Sequence, residues 1–152
     1  GTLIKKCPIK SAPKKGFYFG PCAYELESFH NLTEEHFGPI LHVVRYKAED
    51  LNAVIDAVNA LGFGLTFGLH SRLDSRIEGV HKTIEAGNVY INRNMIGAVV
   101  GVQPFGGQGL SGTGPKAGGP HYLPRFCHEQ TVTTNTTAQG GNASLMILTE
   151  DD

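Results

Sequence analysis

Apolar residues follow two different spacings in the middle of the chain, between residues 40 and 92. The run 40–46 is mostly apolar and rich in β-branched residues, which predicts a buried strand. Residues 65–71 have the same character and predict a second strand. Between them, apolar residues at helical spacing predict a helix that ends at Gly62: Leu51, Val54, Ile55 and Val58.

A second helix and a third strand follow. Residues 75–78 have the form of a capping box, and Gly87 is the predicted end of the helix. Residues 88–92 predict a short strand. The apolar stripe of this helix consists of Leu73, Ile77, Val80 and Ile84. Strands and helices that alternate with short links indicate a parallel α/β unit with right-handed crossovers.

The two ends of the chain have weaker patterns. Lysine pairs and prolines in the first 35 residues indicate an exposed, irregular approach, in which the aromatic run 17–19 resembles a strand that stops at Gly20. Residues 126–137, rich in threonine and valine, predict an extended edge strand, and residues 145–148 form a short apolar plug.

The segment 97–119 holds nine glycines in 23 residues, and its only basic residue is Lys116. Glycine disfavours both helix and strand, so we expect a long ordered loop that lines a site. Residues 107–112 match G-x-G-x-x-G, but Pro104 precedes them and Pro115 follows, where a dinucleotide fold needs a strand and a helix. We therefore interpret the match as accidental.

Charge and cysteine content exclude several classes of protein. The 13 basic and 14 acidic residues give a net charge of −1, which argues against a nucleic-acid binder, and no apolar run is long enough for a membrane span. Three cysteines without C-x-x-C spacing argue against a disulfide framework, and the seven histidines suggest no metal site. We expect a reducing, cytoplasmic setting, and the start at Gly1 without methionine suggests a piece of a longer protein.

Three motifs, in order, resemble the C-terminal third of the aldehyde dehydrogenase superfamily: EEHFGP at 34–39, AGNVYIN at 86–92, and QPFGG at 103–107 followed by SGTG at 111–114. Residues 92–107 and 118–123 resemble the L-glutamate γ-semialdehyde (delta-1-pyrroline-5-carboxylate) dehydrogenases in particular. Residues 134–145 resemble the end of bacterial bifunctional enzymes that join such a domain to a flavin-dependent proline dehydrogenase.

The resemblance implies a fold and a division of the chain. The fold is a partial α/β aldehyde dehydrogenase catalytic domain, with a mostly parallel sheet, helices on its faces, the long glycine-rich loop and a C-terminal extended oligomerisation strand. Residues 1–125 would belong to the catalytic domain, and residues 126–152 would form the extended strand and tail. The implied partners are the rest of the parent enzyme and further copies in a homo-oligomer.

The same resemblance implies NAD-dependent oxidation of the semialdehyde to glutamate in proline catabolism. Glu35 would bind the nicotinamide ribose, and Phe37 would pack beside the nicotinamide. Gly97 and Ala98 would hold the substrate α-carboxylate through main-chain N–H groups, and Phe105 would line the aldehyde pocket. A glycine-rich turn suits this role because its amides can bind an anion without a basic side chain.

The chain lacks the chemistry of the complete family. The family's nucleophilic cysteine lies in an upstream motif, and none of Cys7, Cys22 or Cys127 has that context. We assign no catalytic residue and no metal ligand, and we expect the chain to be inactive alone; FAD would belong only to the separate proline dehydrogenase domain. Two alternatives remain: an interaction module that adds residues 126–137 to a partner sheet, and a nucleotide-phosphate binder built on residues 107–112.

Overall fold

The computed structural model of the protein describes residues 1–11 and 15–139. Contacts divide the chain into two units, with the boundary between Tyr122 and Leu123. The first unit holds two helices and seven strands among its described residues, and the second unit holds short 3-10 turns.

A three-stranded mixed sheet forms the N-terminal part of the first unit. It consists of β1 (Thr2–Lys6), β2 (Cys22–Leu26) and β3 (Ile40–Val44), in that order. β1 runs antiparallel to β2, and β2 runs parallel to β3. The expectation of an exposed, irregular approach is confirmed for residues 7–11 and 15–21, which have no regular structure and are exposed except for Gly20. The expectation was wrong for β1 and β2, which it did not include, and for residues 17–19, which are not a strand. All five residues of β1 are exposed, so the strand lacks the apolar-to-polar alternation that would mark it in the sequence.

A parallel strand–helix–strand unit carries the hydrophobic core. β5 (Thr66–Leu69) pairs in parallel with β6 (Asn88–Ile91), and α2 (Asp74–Thr83) connects them, as predicted. The preceding helix, α1 (Leu51–Ala60), packs beside α2. The buried cluster consists of Ile55, Leu69 and Val80, one residue from each of α1, β5 and α2.

The strands do not form the one mostly parallel sheet that we predicted. Among the described residues they form three small sheets, in which β3 pairs with β2 and not with β5. β3 is also less buried than predicted, since Leu41 is 60% exposed. Periodicity identifies a strand, but it contains no information about which neighbour supplies the hydrogen bonds.

The predicted helix ends are partly confirmed. Gly62 follows α1 with a φ of 74°, and its N–H donates to the Asn59 carbonyl, as expected for a helix-ending glycine. The capping box at 75–78 was wrong, because α2 begins at Asp74 and Ser75 lies inside it. The hydroxyl of Ser71 instead accepts the N–H of Leu73, just before the helix.

The glycine-rich segment is an ordered loop, as predicted, with one short strand. β7 (Gln108–Gly109) pairs antiparallel with β4 (Phe63–Gly64). A further bridge joins Phe105 to Ala117, so the loop folds back on itself. The β4–β7 pairing holds the loop beside the segment between α1 and β5, and the Phe105–Ala117 bridge closes the loop on itself.

The second unit does not contain the edge strand predicted at 126–137. Its described part has 3-10 turns at Leu123–Phe126 and Thr136–Gln139, and residues 127–135 pair with no strand of the described chain. A strand needs a neighbour to supply its hydrogen bonds, and these residues are exposed. The apolar plug at 145–148 and most of the tail motif lie outside the described residues. No helix in the described ranges is long and apolar enough to cross a bilayer.

Candidate functional site

Asn92, the first residue of the loop that follows β6, is hydrogen-bonded to the turn that follows the neighbouring strand β5. Asn92 has a φ of 54°, a left-handed conformation that asparagine tolerates better than most residues. Its side-chain amide accepts the N–H of Ser71 and donates to the Ser71 carbonyl, both at 2.9 Å. The turns after β5 and β6 are therefore locked together, which gives the loop a defined starting direction.

Three of the predicted site residues line one cavity, which we call the amide cavity. Gly97, Ala98 and Phe105 contribute to its wall, and its volume is about 290 Å³. The other lining residues are Val100, Gly101, Gln103, Ala117 and Gly118. None of these carries a charge, so the cavity can recognise a ligand through main-chain groups, one amide side chain and apolar contacts.

Two adjacent residues that line this cavity have main-chain N–H groups without a partner in the described chain. These are the N–H groups of Gly97 and Ala98. Their neighbours are engaged: the Ile96 N–H donates to the Asn94 side chain at 3.3 Å, and the Val99 N–H donates to Gln103 Oε1 at 2.9 Å. Two adjacent amides of this kind can donate hydrogen bonds to one carboxylate.

The part of the lining around Phe105 is held by a lysine and a buried asparagine. The Asn88 side chain, 8% exposed, donates to the Pro104 carbonyl at 3.0 Å and accepts the Gly106 N–H at 3.2 Å. Lys116 donates to Asn88 Oδ1, to the Gly106 carbonyl and to the Gly87 carbonyl. These bonds fix the backbone on both sides of Phe105. The sequence signal for this arrangement was the single lysine in the glycine-rich loop.

Glu35 and Phe37 lie apart from the amide cavity. Both belong to an exposed segment before β3, and the Phe37 ring is 92% exposed. Gly38 and Ile40 line a second cavity of about 880 Å³, which we call the Ile96 hollow because Ile96 also lines it. The adjacent residues Ile96 and Gly97 thus line different cavities, the Ile96 hollow and the amide cavity.

No thiol lines the amide cavity. Cys7 and Cys22 line the Ile96 hollow, and Cys127 belongs to the second unit. Across residues 1–11 and 15–139, no three histidine, cysteine or acidic side chains converge as metal ligands would.

The G-x-G-x-x-G segment has an internal structural role. Residues 107–112 include β7 and a turn, in which the Ser111 N–H donates to the Gln108 carbonyl at 3.0 Å, and no α-helix follows them in the described chain. A Cβ at Gly112 would overlap the carbonyl oxygen of Gly107. Glycine is thus required by close backbone packing, which agrees with the interpretation of the motif as accidental.

A cavity with paired main-chain amides and an aromatic wall, on a strand–helix–strand scaffold, is consistent with the enzyme family suggested by the motifs. The sequence profile of the aldehyde dehydrogenase family matches residues 3–132. The chain therefore belongs to the aldehyde dehydrogenase family.

The similar proteins within this family are PutA enzymes and 1-pyrroline-5-carboxylate dehydrogenases. The chain is 58% identical over 126 residues to the bifunctional protein PutA of Rhizobium meliloti, covering 83% of this chain and 10% of PutA. A crystal structure of a variant of Bradyrhizobium japonicum proline utilization A (PutA) is 59% identical, with a TM-score of 0.82, and the match covers 90% of this chain and 14% of that one. A crystal structure of a 1-pyrroline-5-carboxylate dehydrogenase from Thermus with bound NAD is 37% identical, with a TM-score of 0.70. That match covers 83% of this chain and 24% of the Thermus chain. The chain thus spans about a tenth of the bifunctional relative.

Proposed function

We propose that this chain forms the substrate-carboxylate wall of an NAD-dependent L-glutamate γ-semialdehyde dehydrogenase that acts in proline catabolism. The observation that carries the proposal is the amide cavity, which is lined by Phe105 and by Gly97 and Ala98, whose N–H groups have no partner in the described chain. The similarity to PutA and to a 1-pyrroline-5-carboxylate dehydrogenase supports it.

The proposed substrate suits the chemistry of this cavity. The two amides donate to the α-carboxylate of the semialdehyde, and the small Ala98 side chain lets that carboxylate approach the backbone closely. The Phe105 ring lies beside the apolar methylene chain of the substrate. Amide donors without a lysine or arginine bind the acid end by hydrogen bonds alone, so their geometry decides the affinity.

The proposed cofactor is NAD, which accepts the hydride when it is bound. The Glu35 carboxylate is exposed and can accept hydrogen bonds from the hydroxyls of the nicotinamide ribose. The Phe37 ring is exposed and can pack against a flat ring. FAD would belong to a separate proline dehydrogenase domain and has no proposed site in this chain.

The chain would act as part of a larger cytoplasmic enzyme, with the nucleophile supplied by another segment. The lining of the amide cavity supports this, because it contains no thiol and no carboxylate. We therefore expect no dehydrogenase turnover from the chain alone.

A segment exchange tests the proposal. In the complete Bradyrhizobium japonicum PutA, this chain replaces the segment it matches, and NADH formation is followed with glutamate semialdehyde and with pentanal, which lacks the carboxylate. We expect the exchanged enzyme to be active, and the 152-residue chain alone to be inactive in the same assay.

Substitutions at Ala98 then test the carboxylate contact. Ala98→Asp places a negative charge beside the substrate carboxylate, where like charges at ~4 Å repel by about 1–4 kcal/mol. We expect the KM for glutamate semialdehyde to rise about tenfold or more above that of the isosteric Ala98→Asn, with little difference between the two for pentanal. An inactive exchange, or equal KM values for the Asp and Asn variants, would contradict the proposed function.

A second candidate function is self-association through residues 126–137. The favouring observation is that residues 127–135 are exposed and pair with no strand of the described chain. Such a segment can add a strand to the sheet of another copy. In an oligomeric dehydrogenase the two functions are compatible.

A further inference from the structure

We infer that Tyr90 is a positioning residue for substrate: its hydroxyl aims the Ala98 amide at the substrate carboxylate. The inference rests on the proposed function and goes further, because it concerns a side chain outside the amide cavity. The Tyr90 hydroxyl donates a hydrogen bond to the Gly97 carbonyl oxygen at 3.0 Å.

One planar group connects the tyrosine with the ligand-binding amide. The Gly97 carbonyl and the Ala98 N–H belong to the same trans peptide, so they point in opposite directions and rotate together. A hydrogen bond that holds the oxygen therefore also holds the direction of the N–H. It also polarises the peptide, which strengthens that N–H as a donor.

Tyr90 is held in place by the sheet and by the residues that pack around it. Tyr90 is 5% exposed and lies on β6, where it pairs with Gly68 of β5. The guanidinium of Arg93 lies over its ring, 4.6 Å from the ring centre. The hydroxyl thus presents a donor whose position is set by the sheet and not by the loop.

The loop itself provides little restraint at Gly97. Gly97 is exposed, has a φ of 67°, and a Cβ built on it would touch nothing within 4 Å. Packing therefore does not hold this peptide, and the restraint comes from hydrogen bonds. On the other side, Gln103 accepts the Val99 N–H through its side chain and donates its own N–H to the Val99 carbonyl at 2.8 Å. The Ala98 residue lies between these two fixed points.

The test uses Tyr90→Phe in the exchanged PutA enzyme described above. This variant keeps the ring and removes only the hydroxyl, so the peptide loses its restraint. We expect the KM for glutamate semialdehyde to rise about three- to tenfold, as for the loss of one hydrogen bond. The kcat, the KM for pentanal and the KM for NAD should change less than twofold.

The matched control is Tyr18→Phe. Tyr18 also donates its hydroxyl to a main-chain carbonyl at 3.0 Å, that of Lys15, and it does not line the amide cavity. We expect no change in any of these parameters for the control. The product glutamate should also inhibit Tyr90→Phe more weakly, by the same factor as the rise in KM, because it carries the same carboxylate.

Two outcomes would overturn the inference. An unchanged KM for glutamate semialdehyde would show that the hydroxyl does not position the amide, and an equal loss with pentanal, including complete loss of activity, would show a merely structural role. The Ala98 variants distinguish a failure of the Tyr90 inference from a failure of the proposed function, because they test the carboxylate contact without changing Tyr90. If Ala98→Asp discriminates against glutamate semialdehyde and Tyr90→Phe does not, only the inference fails.

Discussion

Single residues shape the candidate site mainly through their main chain. Gly97 and Ala98 line the amide cavity and have main-chain N–H groups without a partner in the described chain, and Asn92 sets the direction of the loop through its left-handed conformation. Close contacts between glycine backbones hold the surrounding loop together. Substitutions that add a single carbon atom can therefore test the fold at this scale.

Gly87 and Gly79 form a matched pair for such a test. A Cβ at Gly87 would overlap the carbonyl oxygen of Gly106, whereas a Cβ at Gly79 in α2 would meet nothing within 4 Å. We expect Gly87→Ala to lower the free energy of unfolding by about 1–3 kcal/mol or more, because the backbone must move apart. Gly79→Ala should raise it by about 0.5–1 kcal/mol, because alanine favours the helix.

Urea unfolding of the chain, followed by far-UV circular dichroism, measures both changes. If Gly87→Ala were as stable as the unsubstituted chain, then β6 and the glycine-rich loop would not be in close contact.

At the scale of elements, β6 connects the core with two parts of the lining of the amide cavity, around Phe105 and at Gly97. Asn88 at its start holds the backbone around Phe105, and Tyr90 near its end holds the Gly97 peptide. Lys116 adds two hydrogen bonds between the loop and the start of β6, to the Gly87 carbonyl and to Asn88 Oδ1, and a third within the loop, to the Gly106 carbonyl. These two parts of the lining are therefore held by different groups, which predicts different kinetic effects.

We expect Lys116→Met to lower kcat/KM about tenfold for both glutamate semialdehyde and pentanal in the exchanged enzyme. The substitution removes bonds from a charged donor, which are worth about 1.5–3 kcal/mol. In the proposed function, Phe105 lies beside the part of the substrate that both aldehydes share. NADH formation measures the effect.

Lys82→Met is the control for this prediction. Lys82 is exposed and pairs with Glu78 at 2.7 Å on the surface of α2, so its loss should leave kcat/KM unchanged. A loss at Lys116 confined to glutamate semialdehyde would contradict the role given to the lysine, because it would implicate the carboxylate wall instead.

At the scale of the whole molecule, much apolar surface is exposed. Large hydrophobic side chains of the first unit, such as Leu41 and Val100, are mostly accessible, and Val132 of the second unit is 77% exposed. Surfaces of this kind are typical of interfaces with other protein. They agree with a chain that packs against further segments of an enzyme or against other copies.

The self-association proposed for residues 126–137 can be measured by light scattering coupled to size-exclusion chromatography. We expect the chain to form oligomers at micromolar concentration, and a chain truncated after Tyr122 to have the mass of a monomer. The variant Val132→Asp should weaken the association by introducing a charge at an apolar position. A full-length chain that is monomeric, or a truncated chain that still associates, would contradict this function.

The local sequence pattern alone determined most of the helices and strands, the ordered loop and the family of this protein. Spacing of apolar residues identified α1, α2, β3, β5 and β6, and the glycine content identified the ordered loop. The motifs indicated the family, and three of the residues that they implied, Gly97, Ala98 and Phe105, line one cavity. These properties depend on residues close together in the sequence, where side-chain preference and spacing act directly.

The tertiary structure alone decided how these elements meet. It pairs β3 with β2, leaves residues 127–135 without a strand partner in the described chain, and joins Lys116 to Gly87 across 29 positions. It also decided which amides of the loop remain available, because Asn94 and Gln103 engage the neighbouring ones. The physical reason is that a hydrogen bond between segments depends on the packing of the whole unit, which the local spacing of residues does not specify.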